Sequence, residues 1–311
     1  MTGLLTEPVL TAFVLAVVAA AIPLMLAAAG EAVGEQAGVL NIGIEGLMLV
    51  GGYCGFAVAL ATGSFWLGAV CGVLAGVALS CITMVLCVWL GLNQIVVGIG
   101  VGLAGTGISS LLYDARFAEA KPRLGAPDPW EIPILSDLPV IGPGLFAQPG
   151  LFTVSLAAVG LTAFWVHRTL PGLRLRAAGQ GPAALDASGG SVVRTRSTAV
   201  LFGGAMSGFG GAFLAIVSAG TFTPGMTHGV GYLAIVVAML ARGRMRWVVL
   251  IAFGYGLCIA AGTALQLAAV SLPTDAIRMV PFIAVLVVLV CFPRSSALPP
   301  ALATAYVRGR G

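Results

Sequence analysis

Two polar residues inside a long apolar run are the first candidates for chemistry in this sequence. Asn41 and Glu45 lie four residues apart in GVLNIGIEGLMLVGG, and this spacing predicts that both occupy one face of a helix. Glycines at 38, 43 and 46 would allow that helix to bend or break. Because an ionisable group at membrane depth is costly, Glu45 is a candidate functional residue. Two interpretations stay open: contact with a ligand, or a structural tie between a broken helix and its neighbours.

Uncharged hydrogen-bonding groups form a second set of candidates. Asn93 and Gln94 open another apolar run, and Phe222, Thr223 and His228 surround the break at 224–225. Polar groups beside aromatic rings suit a neutral, flat, polar ligand, although a histidine in this position is more often a cap or an interface residue. With two histidines in the chain and no cluster of carboxylates, we predict no metal site and no proton relay. No Walker A sequence, nucleophile elbow or pair of catalytic carboxylates is visible, so we predict that the chain is not an enzyme.

The composition is that of an all-α, polytopic membrane protein. Of the 311 residues, 59% are hydrophobic and 8% are charged, which is too little polar surface to cover a soluble globule. About twenty apolar residues cross a bilayer, and the sequence predicts about nine spans, with eight or ten as alternatives. They lie near residues 8–29, 38–61, 65–90, 93–113, 150–167, 197–219, 229–241, 247–269 and 275–292. The seventh is short and follows a Pro-Gly pair, so we expect a re-entrant or broken helix there.

A polar interruption at 168–196, here called the basic loop, sets the predicted topology. It carries five of the fifteen basic residues and one acid, and such a bias is typical of a cytoplasmic loop. Its alanines, interrupted by glycine and proline, predict one or two short helical turns. The loop at 114–149, here called the acidic loop, is then external and either docks an outside partner or only closes the outer face. The same reasoning places the basic segments 242–246 and 294–310 inside and the N-terminus outside.

Glycines spaced four residues apart recur in the apolar runs. Examples are Gly68, Gly72 and Gly76 in one run, and Gly204 and Gly208 in another. This spacing lets helix backbones approach closely, so we expect tight helix packing at these positions.

Three stretches of the chain resemble a known family. They are GEQAGVLNIGIEGLMLVGGYCG, GLRLRAAGQGPAALDASGGSVVRTR followed by LFGGAMSGFGGAFLA, and TPGMTHGVGYLAIVVAML. In order and spacing, over nearly the whole chain, they resemble the permeases of bacterial ABC importers, in the simple-sugar and nucleoside group related to ribose permeases. VLNIGIEG and TPGMT resemble the nucleoside-type members most closely.

The resemblance implies one transmembrane permease domain over residues 1–311, in the bacterial inner membrane, with no nucleic-acid partner. It would pair with itself or with a homologous second permease and receive cargo from an external binding protein or lipoprotein. Two ATPase subunits would bind ATP and magnesium, and this chain would hold no cofactor. The basic loop would enter the ATPase as a coupling element, through Arg174, Arg176, Ala177, Gly179, Pro182, Ala184, Asp186 and Gly189. The family's usual GENP is replaced here by Gly-Gln-Gly-Pro at 179–182.

The sequence leaves two alternatives open, one for the cargo and one for the source of energy. The resemblance favours nucleosides or nucleobases, with a simple sugar as the other cargo. An ion-coupled secondary transporter of a small neutral solute is the alternative class, but it usually needs buried carboxylates near the midplane and an inverted repeat. Glu45 is the one such carboxylate that the sequence suggests, and no repeat is evident.

Overall fold

The computed structural model of the protein is a helical bundle. It describes residues 7–117, 119, 121–131, 142, 147–267, 279, 280, 282, 283, 287 and 298–306. The helices are α1 (Glu7–Gln36), α2 (Ile44–Thr62), α3 (Phe65–Thr83), α4 (Gln94–Phe117), α5 (Gly150–Arg168), α6 (Leu170–Gln180), α7 (Pro182–Ala187), α8 (Val192–Phe213), α9 (Val230–Ala241) and α10 (Met245–Leu267). Two π-helical segments, Met84–Trp89 and Leu214–Ser218, extend α3 and α8.

Among the described residues, seven helices are long and apolar enough to cross a membrane, and α9 is a shorter apolar helix. This confirms an all-α polytopic architecture. At 12 residues, α9 rises about 18 Å, which is too short for a hydrocarbon core of about 30 Å. The predicted ninth span at 275–292 lies largely outside the described residues.

Close backbone contacts hold the centre of the bundle, where α1, α2, α3 and α8 pack together. Gly76 of α3 lies against Gly204 of α8, and a methyl group added at Gly76 would collide with the Gly204 carbonyl oxygen. A methyl group at Gly211 of α8 would collide with the carbonyl oxygen of Met48 on α2. The small-residue spacing therefore does what the sequence predicts and brings helix axes close together.

The basic segments meet at one end of the bundle, here called the basic end. His167, at the end of α5, lies 3.1 Å from the carbonyl oxygen of Gly243, which follows α9. Gly243 also packs against the side chain of Gln36 at the end of α1, and Gly179 of α6 packs against the Gln36 carbonyl. The Ala301 amide donates to the Gly179 carbonyl oxygen at 3.0 Å. Segments 168–196 and 242–246 thus share one side, as the charge pattern predicts. Segment 298–306 lies there too, and the arginines of the predicted basic segment 294–310 lie outside the described residues.

The second predicted span does not begin as a helix. Residues 37–43 are non-helical, and Gly38 adopts a positive φ of 83° that favours glycine. The stretch climbs along α4: Leu40 contacts Gln94, Gly43 lies beside Gly98, and α2 starts at Ile44. The expectation that Asn41 and Glu45 share a helix face is therefore wrong, because Asn41 precedes the helix. Helix α2 begins inside the bundle, about 6–12 Å along α4 from its start.

The described parts of the acidic loop include a small antiparallel pair, β1 (Pro129–Glu131) with β2 (Ala147–Pro149). The preceding segment packs on the turn after α8. The Leu124 amide donates to the Gly220 carbonyl oxygen at 2.8 Å, and the Thr221 hydroxyl donates to the Pro122 carbonyl oxygen at 3.0 Å. The acidic loop therefore covers the region where the chain turns towards α9. Much of 132–146 lies outside the described residues.

Candidate functional site

The carboxylate of Glu45 closes the start of α9. Its Oε1 accepts hydrogen bonds from the Thr227 hydroxyl at 2.6 Å and the Gly229 amide at 2.8 Å, and its Oε2 accepts from the Gly231 amide at 2.7 Å. Helix N-termini leave amide groups unsatisfied and carry partial positive charge, so a carboxylate is stabilised there. Glu45 is 8% exposed, and its contacts lie with protein groups. It ties the half-length helix α9 to the start of α2.

The other polar groups of the 37–43 stretch are also held by protein partners. The Asn41 side-chain oxygen accepts from the Gly43 amide at 3.0 Å, a local turn that leads into α2. The Asn41 amide donates to Oε1 of Glu31 at 3.0 Å, and the Leu40 amide donates to Oε1 of Gln94 at 2.8 Å. Gln94 is 4% exposed. Asn41 and Gln94 therefore shape the entry to α2.

Two buried carboxylates of α1 are not among the candidates suggested by the sequence. Glu31 and Glu35 are both 2% exposed. Among the described residues, Oε1 of Glu35 has no hydrogen-bond partner. Their four-residue spacing on an apolar helix was the available signal, because it places both on one face.

Three further candidates have separate environments. Phe222 is fully buried in an aromatic cluster, with ring centroids 5.6 Å from both Tyr53 and Tyr113. Asn93 is exposed, and its side-chain oxygen accepts from the amides of residues 95 and 96, so it caps α4. Thr223 is exposed on the turn before α9. The structure thus does not gather Phe222, Asn93 and Thr223 around one site.

A cavity of about 330 Å³ lies beside the start of α9, between α1 and α10. His228 lines it and is exposed, with a φ of 45° that places it in a left-handed turn. The remaining lining is mostly apolar, with a few neutral polar groups: Ala20, Pro23, Leu214, Met226, Thr227, Val230, Tyr255, Ile259, Thr263, Gln266 and Phe282. No Asp, Glu, Lys or Arg stands among these described residues. Thr227 joins the cavity to Glu45, so Glu45 positions the cavity wall from behind.

The basic loop folds into two short helices and a turn. Thr169 caps α6 by accepting from the Gly172 amide at 3.2 Å, and Leu175 and Ala178 bury one face of α6. A proline begins α7, a position where its missing amide costs nothing, and the chain then turns at Gly189 with a φ of 84°.

The candidate coupling residues of the basic loop divide by exposure. Arg174, Ala184 and Gly189 are exposed, Gly179 is buried, and Arg176, Ala177, Pro182 and Asp186 are intermediate. Most of this set is therefore accessible to a partner at the basic end, whereas Gly179 faces the bundle.

Arg196 has a role that its sequence context hid. It is 3% exposed, and its guanidinium donates to backbone carbonyl oxygens of Ala37, Ala178, Ala301 and Thr304 at 3.1, 3.5, 3.3 and 2.6 Å respectively. The sequence suggested only a topological charge at the end of the basic loop. The signal that could have revealed this role is the position of Arg196 in the first turns of α8, where a charged side chain can point into the bundle.

Comparison with known proteins decides the family. Residues 13–289 match the family described as "Branched-chain amino acid transport system / permease component". The chain belongs to this family.

Three relatives align with this permease over most of their length. It is 36% identical over 246 residues to TsgC13 of Haloferax volcanii, named as a glucose ABC transporter permease protein, covering 78% of this chain and 74% of the relative. It is 28% identical over 301 residues to the nucleoside ABC transporter permease protein NupC of Lactococcus lactis, covering 93% and 94%. It is also 28% identical over 318 residues to the guanosine ABC transporter permease protein NupQ of Bacillus subtilis, covering 97% and 98%. No solved structure matches the chain.

The permease is therefore a non-catalytic, multi-pass subunit of an ABC importer in the plasma membrane. Such permeases work with an ATPase and a substrate-binding protein. Membership of this family decides against the ion-coupled secondary transporter.

Proposed function

We propose that this permease imports nucleosides or closely related nucleobase compounds. The observation that carries the proposal is the cavity beside α9, whose described lining combines aromatic and aliphatic side chains with neutral hydrogen-bonding groups. A nucleoside is neutral at pH 7 and has one flat face and several hydrogen-bonding edges, which matches this lining. The volume of about 330 Å³ falls at the lower end of the range for small-molecule sites.

The relatives supply independent support and one competitor. NupC and NupQ, the two relatives matched over nearly their full length, are named for nucleoside and guanosine transport. TsgC13 has the higher identity of 36% and is named for glucose. A simple sugar is therefore the second candidate cargo. The aromatic and aliphatic majority of the cavity lining favours a base over a bare sugar.

The proposed energy source is ATP hydrolysed by a partner ATPase that binds magnesium and docks at the basic end. The accessible part of the basic loop, with Arg174 and the small residues of α7, fits a cleft on such a partner. Movement of this loop when the ATPase dimer closes would switch access to the pathway. A second permease, identical or homologous, would complete the pathway, and an external binding protein would dock near the acidic loop.

The test of the cargo compares two phenylalanines in the reconstituted complex. Phe282→Ala removes an aromatic wall of the cavity, whereas Phe164→Ala changes a side chain of α5 that is 61% exposed and lies outside the cavity lining. Base stacking on an aromatic ring contributes about 1–3 kcal/mol, so Phe282→Ala should slow guanosine uptake roughly 5- to 150-fold. Phe164→Ala should leave it within about twofold of wild type, as expected for a surface change.

The same vesicles are offered labelled guanosine, uridine, glucose and ribose. Uptake of a nucleoside that glucose does not compete for supports the proposal. Uptake of glucose without any nucleoside would assign the permease to sugar transport instead. Equal loss of uptake in Phe282→Ala and Phe164→Ala would remove the cavity from the pathway.

A further inference from the structure

Arg196 lies where three separate segments of the chain meet. These segments are the turn after α1 (36–38), the end of α6 (178–179) and the C-terminal segment 298–306, and together with Arg196 we call this junction the basal joint. Arg196 donates to carbonyl oxygens in all three of them. Sequence separations of 18 to 159 residues between the bonded partners mean that only the folded chain assembles the joint.

The environment explains how a guanidinium can be buried there. Ala178 lies in the last turn of α6, and Ala37 directly follows α1. Helix C-termini leave carbonyl groups unsatisfied and carry partial negative charge, which favours a cation. The five donors of a guanidinium form a rigid planar fork, so one Arg side chain can hold several carbonyls in a fixed relative geometry.

Backbone contacts reinforce the same junction. The Ala301 amide donates to the Gly179 carbonyl oxygen at 3.0 Å, and the Ala303 amide donates to the Gly38 carbonyl oxygen at 3.2 Å. A methyl group added at Gly38 would lie 2.8 Å from an Arg196 nitrogen, and one added at Gly179 would collide with the Gln36 carbonyl oxygen. The segment 298–306 thus bridges α6 and the turn after α1 with little spare room.

The basal joint connects the basic loop to the site. From Gly38 the chain runs through Leu40 and Asn41, whose amides are bonded to Gln94 and Glu31, and reaches α2 at Ile44. One residue later Glu45 holds the start of α9 and the cavity wall. A short chain of hydrogen-bonded segments therefore connects α6 to the start of α2, and a displacement of α6 can reach α2 through it.

We propose that Arg196 is the positioning residue that makes α6, the 37–43 stretch and segment 298–306 move as one body, so that movement of the basic loop shifts the start of α2. The inference rests on the proposed ATP-driven function and adds to it the residue that passes the movement on. Arg196 touches neither cargo nor ATPase in this role.

The test separates transport from ATP hydrolysis in the intact complex with its ATPase and binding protein. The variants are Arg196→Gln, Arg196→Lys and the control Thr198→Ala, which changes an exposed residue of α8 two positions away and outside the basic loop. The measured quantity is the number of probe molecules taken up per ATP hydrolysed, with the probe being whichever of guanosine, uridine, glucose and ribose the wild type transports. Co-purification of the ATPase and the melting temperature report assembly.

Arg196→Gln should lower this ratio at least tenfold while hydrolysis stays within about threefold of wild type. Arg196→Lys should be intermediate, because an ammonium keeps the charge but has only three donors for the four acceptors. Thr198→Ala should keep the wild-type ratio. A wild-type ratio in assembled Arg196→Gln would overturn the inference, as would a parallel loss of uptake and hydrolysis.

A pair of truncations keeps the test decisive if Arg196→Gln does not assemble. Ending the chain after residue 297 removes two of the four acceptors, and ending it after Tyr306 removes none of them. The first truncation should lower the ratio at least threefold and the second should not, so an unchanged ratio in the first overturns the inference. If the wild-type complex shows no ATP-driven uptake, the proposed function itself fails, and the inference that rests on it falls with it. Coupled transport in wild type and all variants removes the inference alone.

Discussion

Replacing Glu45 with glutamine probes the contact between α2 and α9 with almost no change in shape. The amide can keep the oxygen that accepts from Thr227 and Gly229, but its nitrogen then faces the amide of Gly231. One hydrogen bond to a charged acceptor is lost, at about 1.5–3 kcal/mol, and the α9 N-terminus loses a compensating charge worth about 0.3–1 kcal/mol. We expect Glu45→Gln to destabilise the permease by about 2–4 kcal/mol.

The assay is the apparent melting temperature of the purified permease in detergent at one fixed scan rate. At about 2 °C per kcal/mol, the value for larger domains, Glu45→Gln should lower it by about 4–8 °C. Asp114→Asn is the control, because Asp114 is exposed at the end of α4 and should shift the temperature by about 1 °C or less.

A double-mutant cycle isolates one of the three bonds. Glu45→Ala and Thr227→Val, made singly and together, should give an interaction energy of about 1–3 kcal/mol. Additive effects, or equal shifts in Glu45→Gln and Asp114→Asn, would refute the reasoning that Glu45 caps α9.

Three further changes test the packing, the entry to α2 and the basic loop. Gly211→Ala should destabilise the permease by about 2–3 kcal/mol, because its methyl group collides with the α2 backbone. The control Gly107→Ala, with no atom within 4 Å of the added carbon, should stabilise it by about 0.5–1 kcal/mol. Thermal melting compares the two variants, and equal shifts would contradict the packing. Gln94→Ala leaves the partly buried amide of Leu40 without its partner and should cost about 1–2 kcal/mol in the same assay, so an unchanged melting temperature would contradict the bond. Arg174→Glu with Arg176→Glu should abolish ATP-driven uptake while the chain still inserts, and normal uptake would contradict the role of the basic loop.

Much of the architecture follows from patterns that act over short distances. Apolar length predicts where helices cross the membrane, and four-residue glycine spacing predicts close packing, as at Gly76 and Gly204. The short seventh span was predicted from its length and the preceding Pro-Gly pair, and α9 matches it at Val230–Ala241. For the break before α2, the sequence predicted only that the glycines would allow a bend or a break. Helix propensity does not decide between a bent helix and an extended stretch.

The polar contacts depend on tertiary structure and could not be read from spacing. Glu45 and Thr227 are 182 residues apart, and the partners of Arg196 come from three distant segments. The periodicity that placed Asn41 beside Glu45 assumes a continuous helix, and the assumption fails at 37–43. Counting charges along the sequence identifies Arg196 only as a marker of the cytoplasmic side. The count uses the position of the charge in the chain and contains no information on the direction of the side chain.

The most direct test of the account is uptake by proteoliposomes that hold this permease with its ATPase, second permease and binding protein. Labelled guanosine is offered with ATP on the ATPase side, with ATP plus a proton and sodium uncoupler, and with an ion gradient but no ATP. Uptake should need ATP and survive the uncoupler, and none should occur with the gradient alone. Uptake driven by the gradient, or by the permease without its ATPase, would contradict it.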